Sequence, residues 1–132
     1  MVEELRLMNE VRCLGYGNGF VVGLDNIDKT VTVLLESGVT VEVIEEDVMG
    51  IPIDENFIIN YPCYNRFKSQ GDGIYISNRW PGDCVYDMSA KMLSWQGRQF
   101  SIKYRHTLDN FFYFLLIGEE YKCLEYETDK DL

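Results

Sequence analysis

Residues 9–53 read NEVRCLGYGNGFVVGLDNIDKTVTVLLESGVTVEVIEEDVMGIPI, and three short sets of alternating apolar residues lie within them. The sets are Phe20, Val22 and Leu24, then Val31, Val33 and Leu35, then Val39, Val41 and Val43. Such alternation is typical of half-buried antiparallel strands, with one face on the core. A first strand within Leu5–Cys13 and a last one within Val48–Ile53 complete a prediction of five strands.

Turn residues separate these strands. Gly15, Gly17 and Gly19 permit the positive φ angles of a loop, Asp25–Asp28 favours a turn, and Ser37-Gly38 indicates a tight hairpin. Five short strands at this spacing predict a partly open SH3-like β-barrel over residues 1–53. That fold hosts many unrelated functions, so it implies none.

The pattern changes after Pro52. Asp54 is a candidate N-cap for a short helix that carries Phe57, Ile58 and Tyr61 and that Pro62 limits. Strands are then predicted over Ile74–Ser77, Cys84–Met88, Lys91–Trp95 and Gln99–Tyr104. In the last of them one face is apolar and the other is basic.

A C-terminal helix is predicted with Thr107 as its N-cap and Gly118 as its stop. Its apolar stripe has helical spacing, widened by Phe114 and Ile117, and an edge strand over Tyr121–Tyr126 follows. The stripe consists of Leu108, Phe111, Phe112, Leu115 and Leu116. The sequence therefore predicts an α+β fold, in which residues 54–132 form a helix–sheet–helix segment packed on the barrel as one structural unit.

Composition excludes several classes of protein. The chain has 132 residues, of which 46% are hydrophobic and 26% charged, as in an average globular domain. Its apolar runs are shorter than the roughly 18 residues of a membrane-spanning helix, and Glu3, Glu4 and Glu10 do not suit a secretory signal. We therefore expect a cytoplasmic protein without a membrane partner.

The cysteines do not suggest a metal centre. The four of them are widely spaced, no C-x-x-C pair occurs, and the chain has one histidine. A structural zinc site needs paired ligands at short spacing. We expect ordinary buried thiols at Cys13, Cys63, Cys84 and Cys123, with no metal and no cofactor; two disulfides in an exported protein are the alternative.

Charge and aromatic residues are unevenly distributed. The formal net charge of −10 divides into −9 over residues 1–55, +4 over residues 56–106 and −5 over residues 107–132. Only two of the 18 aromatic residues, Tyr16 and Phe20, precede residue 57. The two halves of the chain therefore present different surfaces.

This asymmetry selects a candidate contact surface in the middle of the chain, where aromatic residues alternate with cations. Its members are Tyr75, Arg79, Trp80, Trp95, Arg98, Lys103 and Arg105. Such a mixture suits a protein interface or the stacking of single-stranded nucleic acid, although the net charge of −10 disfavours nucleic acid. Alternatively, the aromatic residues are core, and the basic face meets the acidic barrel of the same chain or of a second copy.

Catalytic motifs are weak. His106 is the one histidine, so a triad would need it with Cys84 or Cys123 as nucleophile and Asp109 as its orienting group. A structural role for His106, ending a strand, bonding a backbone group and helping to cap the helix, is the better interpretation. The glycine loop at residues 15–19 lacks the Gly-Lys-Ser/Thr of a phosphate loop, and Glu45-Glu46-Asp47 lacks the alternating ligands of a calcium loop.

Three stretches carry a resemblance to a known family. They are LRLMNEV at residues 5–11, IPIDENF at residues 51–57, and HTLDNFF at residues 106–112 with GEE at residues 118–120. They resemble the L-R-x-x-N-x-V, P-[IL]-T-E-E-W and H-x-L-Q-N-L-Y-F-x-L-T-G-x-E landmarks of small uncharacterised proteins of Bacteroidetes, prophages and phages. The chain departs from this pattern at Phe57, at Asp109 and by one extra residue before Gly118.

The resemblance implies a shared fold and a mobile-element context, and it carries no active site. Together with the absence of a catalytic motif, it predicts a non-catalytic protein-binding accessory protein of a phage or other mobile element, with a protein partner or self-association. One alternative is single-stranded nucleic-acid binding by the basic aromatic middle. The other is small-ligand binding or hydrolysis between barrel and sheet.

Overall fold

The computed structural model describes residues 2–61, 67–78 and 82–115, which form an α+β fold. A single 3₁₀ turn at Val2–Glu4 precedes a curled, antiparallel, five-stranded sheet that closes half of a barrel. Its strands are β1 (Glu10–Cys13), β2 (Gly17–Asp25), β3 (Thr30–Leu35), β4 (Thr40–Ile44) and β5 (Val48–Met49). Their spatial order is β4-β3-β2-β1-β5. The five predicted strands are all present, but the first and the last are shorter than predicted.

The curled sheet has an aliphatic core. Val2 and Leu5 lie inside it together with valines of all five strands, and its buried members have at most 7% of their surface exposed. They are Val2, Leu5, Val11, Cys13, Val21, Val31, Val33, Val43 and Val48. Because β-branched residues fit the inner face of a pleated sheet, this composition explains why the strands could be recognised.

Strand β2 presents Val21 to the core, and not Phe20 and Val22 as the alternation predicted. Val21 is fully buried, whereas Phe20 and Val22 are 42% and 39% exposed. The pairing register of β2 and β3 shifts between Val21 and Gly23, so Val22 lies at a bulge. A bulge adds one residue and turns the side chains after it. Placing Phe20 and Val22 in the core was wrong, whereas Leu24, after the bulge, packs against the core as predicted.

The second half begins with a short helix, α1 (Glu55–Ile59). The Asp54 carboxylate accepts a hydrogen bond from the Phe57 amide at 2.8 Å, which confirms Asp54 as the N-cap. A second antiparallel sheet follows in the order β10-β9-β8-β7-β6. Its strands are β6 (Lys68–Ser69), β7 (Ile74–Ser77), β8 (Cys84–Asp87), β9 (Met92–Trp95) and β10 (Arg98–Ser101). Strand β6 was not predicted.

A second helix, α2, begins at residue 105 and is described to residue 115. Tyr104 accepts the first helical hydrogen bond, from Leu108 N at 3.2 Å, so the prediction of Thr107 as N-cap was wrong. Leu108 and Phe112 are buried on the sheet as predicted, but Phe114 is 66% exposed and does not widen the stripe. The predictions for Leu116, Ile117, Gly118 and Tyr121–Tyr126 concern residues outside the described part.

The core of the second half lies between α1, the second sheet and α2, and it is rich in aromatic rings. Its buried members are Ile53, Ile58, Tyr61, Phe67, Tyr75, Cys84, Tyr86, Leu93, Ile102, Leu108 and Phe112. The chain passes between the halves as an extended segment: Arg105 N donates to Ile51 O at 2.9 Å, and Pro52 pairs with Tyr104. This segment brings the start of α2 against the first half.

Candidate functional site

Tyr75 does not belong to a contact surface. It lies on β7 with 5% of its surface exposed, directly opposite Tyr86 of β8, which is fully buried. Burial raises the pKa of the Tyr75 hydroxyl, and the Glu55 carboxylate raises it further. The prediction of an exposed stacking face at Tyr75 was wrong. Ile74, Tyr75 and Ile76 are all apolar, so the sequence does not show which side of the strand faces the core, and Tyr75 lies on the buried side.

Trp95 also serves the core. Its half-buried ring packs edge-on against Phe111 of α2, with the centroids 6.0 Å apart and the planes at 86°. Its Nε1 is buried and has no hydrogen-bond partner among the described residues. The alternative in which the middle aromatic residues are core therefore holds for Tyr75, Tyr86 and most of Trp95.

The predicted cations fall into two groups. Arg98 and Lys103 are exposed, whereas Arg105 Nη1 lies 3.1 Å from Glu10 Oε1 and its Nη2 lies 3.8 Å from Asp54 Oδ2. The Arg105 guanidinium also lies 4.8 Å from the centre of the Phe57 ring. Arg105 thus meets the acidic first half of the same chain, as the alternative interpretation of the basic face expects. Arg79 and Trp80 lie outside the described residues.

The structure instead brings together polar residues from both ends of the described chain. We call this group the polar seam. It contains Glu4, Arg6, Asn9 and Glu10 from the first half and Arg105, His106, Asp109 and Asn110 from α2. Arg105 belongs to both this group and the predicted surface, and it links the seam to the start of α1.

Asn110 is the centre of the polar seam. Its Oδ1 accepts hydrogen bonds from Asn9 Nδ2 at 2.9 Å and from Arg6 Nε at 3.2 Å, and its Nδ2 donates to Glu4 O at 2.8 Å. One amide side chain therefore makes three of its four possible hydrogen bonds to the N-terminal segment. This arrangement fixes α2 relative to residues 4–9.

Asn9 holds the other side of the seam. It is fully buried, its Oδ1 accepts a hydrogen bond from Arg6 N at 2.6 Å, and its backbone N donates to Arg6 O at 3.0 Å. These bonds close a tight loop in which Met8 has a φ of 73°, a conformation that non-glycine residues adopt rarely. Asn9 therefore sets the entry of the chain into β1.

His106 lies in the first turn of α2 and is 1% exposed. Its Nε2 is 3.3 Å from Glu4 Oε1, its ring stacks on Tyr104 at 5.7 Å between centroids, and its Nδ1 has no partner within the described part. A hydrogen on Nε2 satisfies the contact with the carboxylate. The expected position at a strand end and the expected bond to a backbone group were wrong, because His106 lies inside the helix and its bond goes to a side chain.

Beside the seam, Tyr61 donates a short hydrogen bond to Asp109 Oδ1. Burial raises the pKa of the Asp109 carboxyl, against the lowering effects of Tyr61, Arg6 and His106. Burial and the neighbouring Asp109 also raise the pKa of Tyr61. Asp109 is thus a desolvated carboxyl that accepts a hydrogen bond from the Tyr61 phenol.

The residues that carried the family resemblance meet at the polar seam. Arg6 and Asn9 of the first stretch contact Asn110 of the third, while Asp54 of the second stretch contacts Arg105. Sequence reasoning missed this meeting because Asn9 and Asn110 are 101 positions apart. The one signal in the sequence was that Asn9 and Asn110 both lie in the short stretches that carried the resemblance.

A groove of about 360 Å³ opens beside the polar seam. One wall is formed by residues 3–6, and the other by His106, Thr107, Asn110 and Phe114 of α2. The volume is within the roughly 300–1,000 Å³ of small-ligand sites. We call this feature the acidic groove because it carries Glu3 and Glu4.

The described thiols and carboxylates form neither a nucleophilic nor a metal site. Cys13 and Cys84 are free and buried, and burial raises the pKa of Cys84 to about 11. Cys63 and Cys123 lie outside the described residues. No three metal-ligating side chains of residues 2–61, 67–78 and 82–115 come together, and none of the helices described there is long and apolar enough to cross a membrane.

Glu45-Glu46-Asp47 forms a 3₁₀ turn between β4 and β5. Glu45 Oε2 accepts from Val2 N at 3.2 Å, which lowers the pKa of this carboxyl. Glu45 thereby ties the N-terminal segment to the curled sheet.

Comparison with known proteins adds no assignment. The chain matches no family model, no curated protein and no solved structure.

Proposed function

We propose that this chain is a non-catalytic protein-binding accessory protein of a phage or other mobile element, acting in the cytoplasm. The observation that carries the proposal is a group of exposed or half-buried apolar side chains at and beside strand β2 of the curled sheet. We call it the outer row, and its members are Met8, Phe20, Val22 and Leu34. The mobile-element context is supported by the resemblance of the three landmark stretches.

The outer row is centred on the pairing of β2 with β3. Phe20 lies directly opposite Leu34 of β3, so their side chains share one face, and Met8 N donates to Val21 O at 2.6 Å between Phe20 and Val22. Met8 is 64% exposed, and Leu34 is half-buried. Single exposed apolar residues are ordinary, but adjacent ones favour a contact surface.

We also propose that the curled sheet is an SH3-like barrel. Support comes from its five short strands, from the 3₁₀ turn between β4 and β5, and from the pairing of β5 with β1, where Cys13 lies opposite Val48. In this proposal the outer row lies on the outside of the barrel, away from its valine core.

The experiment is affinity purification of the tagged chain from its native host after crosslinking at low salt. The wild type is expected to retain a stoichiometric partner or a second copy of itself, and the double variant Phe20→Ser/Val22→Ser is expected to lose it. Ile27→Ser is the matched control, because Ile27 is 92% exposed in the β2–β3 turn. Absence of any stoichiometric partner or self-association of the wild type would refute the proposal.

Single-stranded nucleic acid is the second candidate, favoured by the exposure of Arg98 and Lys103. It is weakened by the burial of Tyr75 and the ion pairs of Arg105. It predicts a mobility shift with single-stranded oligonucleotides that weakens with salt and with Arg98→Ala or Lys103→Ala. No shift at low salt would eliminate it.

A further inference from the structure

The acidic groove offers two unequal carboxylates. The side chains of Glu3 and Glu4 are 83% and 59% exposed. Glu3 forms an ion pair with Lys29 at 3.4 Å. Glu4 contacts only the His106 ring among the charged or ionisable side chains of the described residues. Glu4 is therefore the carboxylate without a permanently charged partner there, and it can receive a cation.

The one arginine of the groove does not neutralise it. The Arg6 guanidinium lies 3.7 Å from the centre of the Tyr113 ring, and its nitrogens donate to Asn110 and to the Leu7 carbonyl. The Arg6 guanidinium is thus held by Asn110 of the polar seam and by the Tyr113 ring.

An aromatic face completes the site. Phe114 lines the groove, is 66% exposed, and packs edge-on against Tyr113 with the centroids 5.6 Å apart. A phenyl ring attracts a cation over its face, and it also covers the apolar stem of a long side chain. A carboxylate and an exposed ring on one groove therefore suit an arginine or lysine side chain.

We infer that the acidic groove receives an arginine or lysine side chain from a basic segment of a protein partner. This inference deepens the proposed protein-binding function and assumes it. The net charge of −10, with −9 in residues 1–55, would steer such a segment toward the first half. A groove of about 360 Å³ accommodates one such side chain and leaves the remaining contacts to its rim.

Fluorescence anisotropy with a labelled octa-arginine peptide tests the inference. Glu4→Gln and Phe114→Ala are each expected to raise Kd about fivefold or more, as truncation of a central contact does. The matched controls are Glu36→Gln, with the same change of charge in the β3–β4 turn, and Ile27→Ala, with a comparable loss of exposed apolar surface. Both controls are expected to change Kd less than about twofold, since peripheral contacts contribute little.

Equal effects of Glu4→Gln and Glu36→Gln would mean unspecific attraction to an acidic protein and would overturn the inference. So would an unchanged Kd for Phe114→Ala, whose exposed ring can be removed without unfolding the chain. Displacement of the peptide by argininamide at equal concentration would indicate a small-molecule site and would also overturn it. Phe20→Ser/Val22→Ser is expected to bind the peptide normally, so failure here is distinguishable from failure of the outer row.

Discussion

The two hydrophobic cores of this molecule are made of different side chains. Seven of the nine buried residues in the curled sheet are valine and none is aromatic, whereas five of the eleven in the second core are tyrosine or phenylalanine. The second core also contains polar groups that need partners: Tyr86 donates to Ile102 O at 2.8 Å, and Tyr61 donates to Asp109.

This difference shows how each half obtains a single conformation. Valines fill the narrow inside of a curled sheet by shape alone, and their stiff side chains suit strands. Tyrosines fill the wider space between the second sheet and α2, and each phenol must also find an acceptor. The second core is therefore specified by hydrogen bonds as well as by packing.

The largest expected effect compares the cores directly. Tyr86→Ala removes a fully buried ring and should lower the free energy of unfolding by about 4 kcal/mol. Val33→Ala in the first core should lower it by about 2 kcal/mol. Tyr16→Ala, at a residue that is 56% exposed, is the control and should stay within about 0.5 kcal/mol.

Urea unfolding followed by far-UV circular dichroism and by tryptophan fluorescence makes this measurement. Because the polar seam joins the halves, both variants should shift one common transition. Two separate transitions in the wild type would contradict the expectation that the halves form one structural unit.

A smaller effect is expected at the polar seam. Asn9→Ala removes one of the three hydrogen bonds of Asn110 and leaves Arg6 N without its partner, and it should lower the free energy of unfolding by about 2 kcal/mol. Asn26→Ala, in an exposed turn, is the matched control. A double-mutant cycle with Asn110→Ala should give a coupling of about 1 kcal/mol, and strict additivity would show that the seam does not couple the halves.

The start of α1 lies where the two regions meet. Asp54→Ala removes the N-cap and should lower the free energy of unfolding by about 1 kcal/mol, measured by urea unfolding. Asp28→Ala in the β2–β3 turn removes the same charge without a cap. Equal losses in the two variants would mean that net charge, and not capping, explains the effect.

The last expected effect is a dependence of the free energy of unfolding on pH. Since burial raises the pKa of Asp109 in the folded chain, that chain binds more protons than the unfolded one at and above the unfolded pKa of about 3.9. The stability contribution of Asp109 should therefore fall as pH rises from about 4 through the folded pKa, by at most about 1.4 kcal/mol per pH unit.

Asp109→Asn keeps an acceptor for Tyr61 and should flatten this part of the curve of unfolding free energy against pH. Asp83→Asn, at an exposed position, is the control and should reproduce the wild-type curve. A slope that is unchanged in Asp109→Asn would assign the pH dependence to other groups.

Sequence patterns predicted the elements of this fold better than their orientations. The spacing of Val31 and Val33 placed β3 and its inner face, and Asp54 placed the start of α1. In Phe20-Val21-Val22 every residue is apolar, so alternation cannot select the buried face. The bulge at Val22, after which Leu24 packs on the same core as Val21, has no signal of its own. The same ambiguity hid the burial of Tyr75.

The polar seam could not be predicted as a site. Hydrogen bonds of Asn110 with Asn9 and with Glu4 join residues that are 101 and 106 positions apart, and local periodicity contains no information about such pairs. The exposed ring of Phe114 was missed because helical spacing alone assigned it to the apolar stripe. Helix α2 packs on the core of the second half through Leu108 and Phe112, and Phe114 lies outside this contact.

The span of the polar seam has a consequence for synthesis on the ribosome. Chains are made from the N-terminus at about 5–20 residues per second, so Glu4 leaves the ribosome seconds before residues 106–110 are made. During that interval the valine core can form, but the hydrogen bonds of Arg6 and Asn9 to Asn110 cannot. The nascent chain would therefore pass through a stage in which the curled sheet is folded but Arg6 and Asn9 have not yet bonded to α2.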